Sequence, residues 1–203
     1  MNKQVKKVNK VVVFGLGAAG SNVLLHLAYA HPDLSFVGVD FDIVEQRNFE
    51  AGTQPYSKAD LNRPKVQAMQ RILQSSRKIM AGHVTRILSA KQISDIAGDP
   101  ADALLIDAFD NAESRNLFLP LAKTHHIMHV GFSATLTGEA VWAESYSEMT
   151  PDSKGNFDVC QAHVARPFIH ALTAIAALLA TEFIDSGKKR NTYFDSKLKT
   201  FNF

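Results

Sequence analysis

The chain is expected to fold as an α/β protein on a doubly wound, mostly parallel sheet, and three features of the sequence carry that expectation. Short β-branched runs alternate with longer stretches of helical apolar spacing, several runs end in glycine or carboxylates, and the first leads through three glycines into a helix. With 203 residues and 46% hydrophobic composition, the length suits one domain, 1–203, around one substantial core.

Lys10–Phe14, "KVVVF", is an unbroken apolar run, the pattern of a strand buried on both faces of a parallel sheet. Asn22–Ala30 then reads as a helix stopped at His31-Pro32, and Leu34–Asp42 as a second strand ending in carboxylates. Pro64 suits the first turn of a helix whose apolar face is Val66, Met69, Ile72 and Leu73. His83–Ser89 is expected to be a third strand and Ala103–Phe109 a fourth, again with acidic residues at its C-terminal end. A helix over Ala112–Lys123 leads to a strand over Ile127–Ala134, and a further strand begins at Gly138, with Trp142 in core or sheet surface. Ser147–Phe157, rich in Ser, Pro, Asp and Gly, is the expected mobile loop. A long apolar helix over Ala165–Ile184 follows, then a terminal hairpin turning near Asp195-Ser196. The whole is the order of a Rossmann-like fold, with neither internal repeat nor low-complexity tract.

Composition removes several classes of function. The formal charge of +2, from 22 basic and 20 acidic residues, gives no global field for nucleic acid or an anionic membrane, and Lys6-Lys7 and Lys188-Lys189-Arg190 read as solvated clusters. A single cysteine, Cys160, excludes an intramolecular disulfide and a structural zinc built on Cys-x-x-Cys pairs, which points to the reducing cytoplasm. Met1–Lys10 is polar, with no apolar segment of signal-peptide length after it. The run around Ala171–Ala180, interrupted at its flanks and within by His170, Thr173, Thr181 and Glu182, is expected to fall short of the roughly 20 apolar residues that span a bilayer.

Gly15, Gly17 and Gly20 have G-x-G-x-x-G spacing between a strand and a helix. The first glycine permits the turn, the second lets a phosphate approach the backbone, the third packs helix on strand, and the helix N-terminus offers free N–H groups. Asp40 follows Gly20 by twenty positions, where a carboxylate accepts from ribose hydroxyls. A redox dinucleotide such as NAD and ATP fit these residues equally, and glycines that merely shape a turn remain a third reading.

Two acidic elements lie at the strand ends, "VDFDIVEQRNF" over Val39–Phe49 and "LLIDAFDNAESR" over Leu104–Arg115. With them the sequence resembles the ThiF/MoeB/HesA family, which includes the adenylation domains of ubiquitin-activating enzymes. Its patterns G-x-G-G-x-G-S, D-x-D-x-V-[DE]-x-S-N-L-N-R-Q, G-x-x-K and D-x-x-D-N-x-x-x-R meet here Gly15, Gly17, Gly20 and Ser21; Asp40, Asp42, Val44, Glu45 and Asn48; Lys65; and Asp107, Asp110, Asn111 and Arg115. The resemblance implies an ATP- and magnesium-dependent adenylation of a carboxylate, most often the C-terminal glycine of a ubiquitin-like or sulfur-carrier protein. It places Asp40 on the ribose, Lys65 on phosphate, Asp110 on magnesium, and Asp42, Asn48, Asn111 and Arg115 around the nucleotide. It also implies a homodimer or a related partner chain.

The sequence departs from the family pattern in places. Where the pattern has the arginine of N-L-N-R-Q, this chain has Glu50, Ala51, Gly52 and Thr53, with Gln54 after them; the arginine-bearing N-terminal extension has no counterpart in "MNKQVKKVNK". Arg47 and Arg63 are the available substitutes, each also readable as surface charge. The departure keeps open a non-catalytic partner subunit, as the bare glycine loop keeps open an NAD-dependent oxidoreductase. Cys160 stands near the position of the family's acyl-accepting cysteine, and a thiolate there would accept an acyl group, although a lone cysteine also serves as a small buried hydrophobe. His125, His126 and His129 lack neighbouring carboxylates in sequence for a metal site, His163 and His170 read as packing histidines, and Ser21 and Ser133 have no nucleophile-elbow context.

Overall fold

The computed structural model describes residues 8–133, 136–146 and 165–195. Within them seven strands form one sheet in the order β3-β2-β1-β4-β5-β6-β7. β1 (Lys10–Phe14), β2 (Ser35–Val39), β3 (Met80–His83), β4 (Ala103–Asp107) and β5 (His126–Phe132) are parallel; β6 (Thr137–Trp142) pairs antiparallel with β5, and β7 (Thr192–Asp195) antiparallel with β6. Along β1, Val11 and Val13 enter the core cluster on one face while Val12 and Phe14 enter the cluster on the other, which accounts for the unbroken apolar run. Burying each such side chain fully contributes about 1.5–3 kcal/mol.

The first face is covered by α1 (Ala18–Ala30), α3 (Lys65–Ser75) and α6 (Ala165–Ser186), the second by α4 (Ala90–Ala97) and the turns after α5 (Ala112–Asn116). α2 (Gln46–Glu50) lies between β2 and α3. The chain leaves β1 for β2 on one side and reaches β4 on the other, so a crevice opens at the C-terminal end of β1, where ligands bind in doubly wound sheets. α6 is long and apolar enough by length and composition to cross a membrane, against the expectation, but Ile169, Leu172, Thr173, Ala176 and Ala180 are buried in the core.

Other boundaries shift for identifiable reasons. The third strand lies at Met80–His83, upstream of the expected His83–Ser89, because β2 ends at Val39, opposite His83; Val84 and Leu88 are exposed beyond it. Gly82 lets α3 close on this edge, since a Cβ there would stand 2.2 Å from Val66. β4 ends two residues earlier than expected, and β5 is shifted by one or two residues at each end. α1 begins at Ala18, inside the glycine motif, because the motif itself supplies the first helical turn. α5 ends at Asn116 and a 3-10 turn follows at Leu119–Leu121, where Pro120 cannot donate to a continuing helix. α4 gave too short a period to find; Ser89 caps it through Gln92 N–H, and Ile93 and Ala97 bury its inner edge. Trp142 is core. The Ser147–Phe157 loop, Cys160, His163 and the turn beyond Asp195 lie outside the described residues.

Candidate functional site

The glycine loop has two closed glycines and one open one. Gly15 takes φ +85°, and a Cβ there would lie 2.7 Å from the Ala108 carbonyl; a Cβ on Gly20 would lie 1.9 Å from the Gly15 carbonyl. A Cβ on Gly17 meets nothing within 4 Å. Gly17 is also the N-cap of α1, and no side chain caps it, so the first-turn N–H groups and the positive end of the helix dipole face the crevice. Ser21 turns its hydroxyl inward onto the Gly17 carbonyl at 2.6 Å.

Leu16, between the glycines, is held from both sides. Its N–H donates to Asp40 Oδ2 at 2.6 Å, and its carbonyl accepts from the Tyr56 hydroxyl at 2.7 Å. Burial, reinforced by Asp40, Asp60 and Asp42, pushes the Tyr56 phenol well above its ordinary range and keeps it a donor. Asn22 ties α1 to the following loop, its amide donating to the Ala18 and Thr53 carbonyls at 2.8 Å each.

On the β2 side, buried Asp40 also accepts from the Asp42 N–H at 2.8 Å. Burial raises the Asp40 pKa, with Lys65 and the two backbone donors pulling the other way. Lys65, first residue of α3, is largely buried; its N–H bonds the Asp42 carbonyl and its Nζ lies 3.0 Å from Asp42 Oδ2. Asn48, buried in α2, accepts the Glu45 N–H at 2.8 Å. Asp42, Ile43, Glu45, Arg47, Asn48 and Lys65 line a cleft of about 100 Å³. Arg47 thus reaches the cleft, paired with Glu45, whereas Arg63 is exposed and outside its lining.

On the β4 side, Asp107 is fully buried, and its Oδ1 accepts the Phe109 N–H at 3.2 Å. Arg115 Nε donates to the Phe109 carbonyl at 2.7 Å. Asp110 is exposed; the Asn111 amide donates to it at 3.3 Å, while Asn111 Oδ1 caps α5 through Ser114 N–H at 2.8 Å. The glycine loop, Asp40, Lys65 and Asp110 therefore share the C-terminal edge of β1, β2 and β4.

Sequence reasoning missed two parts of this edge. Tyr56 has no motif to mark it. His129 looked bare of carboxylates, yet its Nδ1 lies 3.1 Å from Asp107 Oδ2 and its Nε2 3.4 Å from Glu139 Oε1, both partners coming from neighbouring strands. The available signal was an inward polar residue in "IMHVG". Burial works against charge on His129, but the Asp107 and Glu139 contacts prevail and raise its pKa. Elsewhere His125 contacts Thr124 and Ser94, His126 packs on Phe183, and His170 Nε2 lies 3.3 Å from the Gly52 carbonyl. Among the described residues no group of three or more His, Cys, Asp or Glu is arranged to hold a metal by itself.

Comparison with known proteins addresses family and fold. The family model described as "ThiF family" matches residues 2–203. No curated protein matches the chain in sequence. Among solved structures, E. coli MccB with AMPCPP and MccA superposes with a TM-score of 0.69 at 15% identity, covering 98% of this chain and 63% of that one. E. coli MccB with ATP gives 0.68 at 15%, covering 97% and 63%. PaaA gives 0.68 at 19%, covering 98% and 63%. The chain thus spans less than two thirds of these similar chains, and at such identities the likeness is one of fold.

Proposed function

Because the chain belongs to the ThiF family, we propose that it adenylates a carboxylate with ATP, the substrate being the C-terminal glycine of a ubiquitin-like or sulfur-carrier protein. The observation that carries this reading is the open Gly17 at an uncapped helix start, with Asp40 bonded to the adjoining Leu16 N–H and the buried Lys65 paired with Asp42 two residues on. MccB, solved with ATP in one structure and with AMPCPP and MccA in another, supports the same assignment.

In the reaction a carboxylate oxygen bonds to the α-phosphorus of ATP while the bond to the leaving pyrophosphate breaks. No proton need move, so the site requires positive charge where phosphate charge grows rather than a general base. The N–H groups of α1 and the Lys65 ammonium supply it. Asp40 spends one lone pair of each oxygen on a backbone N–H and keeps the others for ribose hydroxyls. Arg47, on the cleft lining, takes the place of the displaced family arginine. Asp110 offers a single exposed carboxylate, which suits a magnesium ion that draws its remaining ligands from phosphate and water. That ion would neutralise phosphate oxygens. Pairing with a second copy or a related chain, and a cytoplasmic setting, belong to the same proposal.

Calorimetric titration with ATP plus magnesium and, separately, with NAD tests the reading. Magnesium-dependent ATP binding that Asp110→Ala abolishes, followed by carrier-dependent pyrophosphate exchange, is the expected result. NAD binding that survives the substitution, without ATP binding, overturns it.

A further inference from the structure

The Asp107, His129 and Glu139 contacts lie beyond the nucleotide crevice, yet they reach it through one residue, Phe109. Phe109 is held at its N–H by Asp107 and at its carbonyl by Arg115. Both holders face His129: Asp107 bonds Nδ1, and Arg115 Nη2 approaches the same pocket. Gly131 makes room for them, since a Cβ there would stand 2.7 Å from His129 Nε2 and 3.3 Å from Arg115 Nη2. Preceding Phe109, the Ala108 N–H bonds the Phe14 carbonyl, and the Ala108 carbonyl backs Gly15. Following it comes Asp110. The imidazole is thus buried under the turn that joins the glycine loop to the proposed magnesium carboxylate.

We propose that His129 is a positioning residue for the Asp110 turn: bridged between Asp107 on β4 and Glu139 on β6, it fixes Asp107 and, through it, Phe109, so that Asp110 faces the nucleotide phosphates. This rests on the reading of Asp110 given above. The groups facing the ring are Asp107, Glu139, Arg115 from α5 and Tyr146, whose ring meets it edge-on at 6.2 Å between centroids. Burial and the nearby Arg115 both disfavour charge on the imidazole, and the Asp107 and Glu139 carboxylates outweigh them. The Nδ1 bond orients Asp107 as outer partners orient metal ligands, while Glu139, 3.4 Å from an Nε2 that makes no hydrogen bond among the described residues, acts on the ring through its charge.

The test compares ATP affinity in excess EDTA with affinity in magnesium for the wild-type chain, His129→Gln and Glu139→Gln. Metal-free affinity reports the glycine loop and the integrity of the fold; the gain on adding magnesium reports Asp110. In His129→Gln the magnesium gain is expected to shrink by about 10- to 100-fold, the usual cost of losing an outer partner, with metal-free affinity unchanged. Glu139→Gln, which leaves the Asp107 contact in place, gives a smaller loss in the same sense and decides the matter if His129→Gln does not fold. A magnesium gain equal to wild type in the variants, or a parallel fall of both affinities, overturns the proposal. A wild-type chain with no magnesium gain overturns the Asp110 reading itself, and is distinguished by appearing before any substitution.

Discussion

Two carboxylate clusters flank the glycine loop, and they use the same residue types in opposite ways. On the β2 side the side chain of Asp42 is 48% exposed, pairs with Lys65 and borders an open cleft. On the β4 side Asp107 and His129 are each 1% exposed and turn inward. An ion pair at a rim keeps water and ligand access, so Lys65 can exchange its carboxylate partner for phosphate; a sealed pair has no such exchange, and its effect is on geometry. The difference teaches that the crevice has a working wall on the β2 side and, on the β4 side, a holding wall that lies beneath the exposed Asp110.

The sharpest way to break that contrast is to remove one acid from each wall. Asp107→Ala strands a buried imidazole and frees the Phe109 N–H, so unfolding free energy should drop by about 3–5 kcal/mol. Asp42→Ala should cost no more than about 1 kcal/mol, since the pair is half in water and Lys65 keeps Asp40 nearby. Urea midpoints for the two variants check this; equal losses would mean that the walls do not differ.

The glycines sharpen the comparison within the loop itself. Gly20→Ala drives a methyl to 1.9 Å from the Gly15 carbonyl, a clash with backbone that no rotamer relieves. It should cost about 1–3 kcal/mol or more. Gly17→Ala has free space and a φ of −74°, so stability should hold while ATP affinity falls, because the new methyl stands where phosphate must approach. Melting curves and ATP titration of the pair separate the two effects, and an unchanged ATP affinity in Gly17→Ala would remove the loop from the binding site.

What the sequence disclosed follows the same division. Elements whose signal is local were readable: the unbroken valines of β1, the Pro64 start of α3, the glycine spacing and the acids at the ends of β2 and β4. The family resemblance turned those acids into the proposed nucleotide site. His129 with Glu139 was not readable, because the contact joins two strands to β4 and depends on the β4-β5-β6 register, Asp107 opposite His129 and His129 opposite Val141. Tyr56 escaped for a similar reason, since its bond to Leu16 in the glycine loop spans 40 positions and no motif marks the tyrosine end. The third strand was misplaced because β-branched residues beyond it, Val84 to Leu88, carry strand propensity without a partner strand to pair with.

The smallest expected effect is one of pH, and it isolates the holding wall. His129 has a folded pKa raised above its ordinary 6.5, because Asp107 and Glu139 outweigh the burial that disfavours its charge. The native state therefore holds that proton more tightly than the unfolded chain does. Its contribution to stability is fully present below about pH 6.5 and is lost as pH climbs through the raised value. Asp60 has the opposite sign: burial is outweighed by hydrogen bonds from Arg71 and Ser57, its pKa is lowered, and its contribution disappears only as acid takes the pH down through that lowered value. Urea midpoints measured from pH 6 to 9 should thus fall with rising pH in the wild-type chain and flatten in His129→Gln, while a second series below about pH 4 should show the same acid-side loss in both. A slope that persists unchanged in His129→Gln would show that another group titrates there, and the sealed wall would then be held by hydrogen bonds from a neutral imidazole.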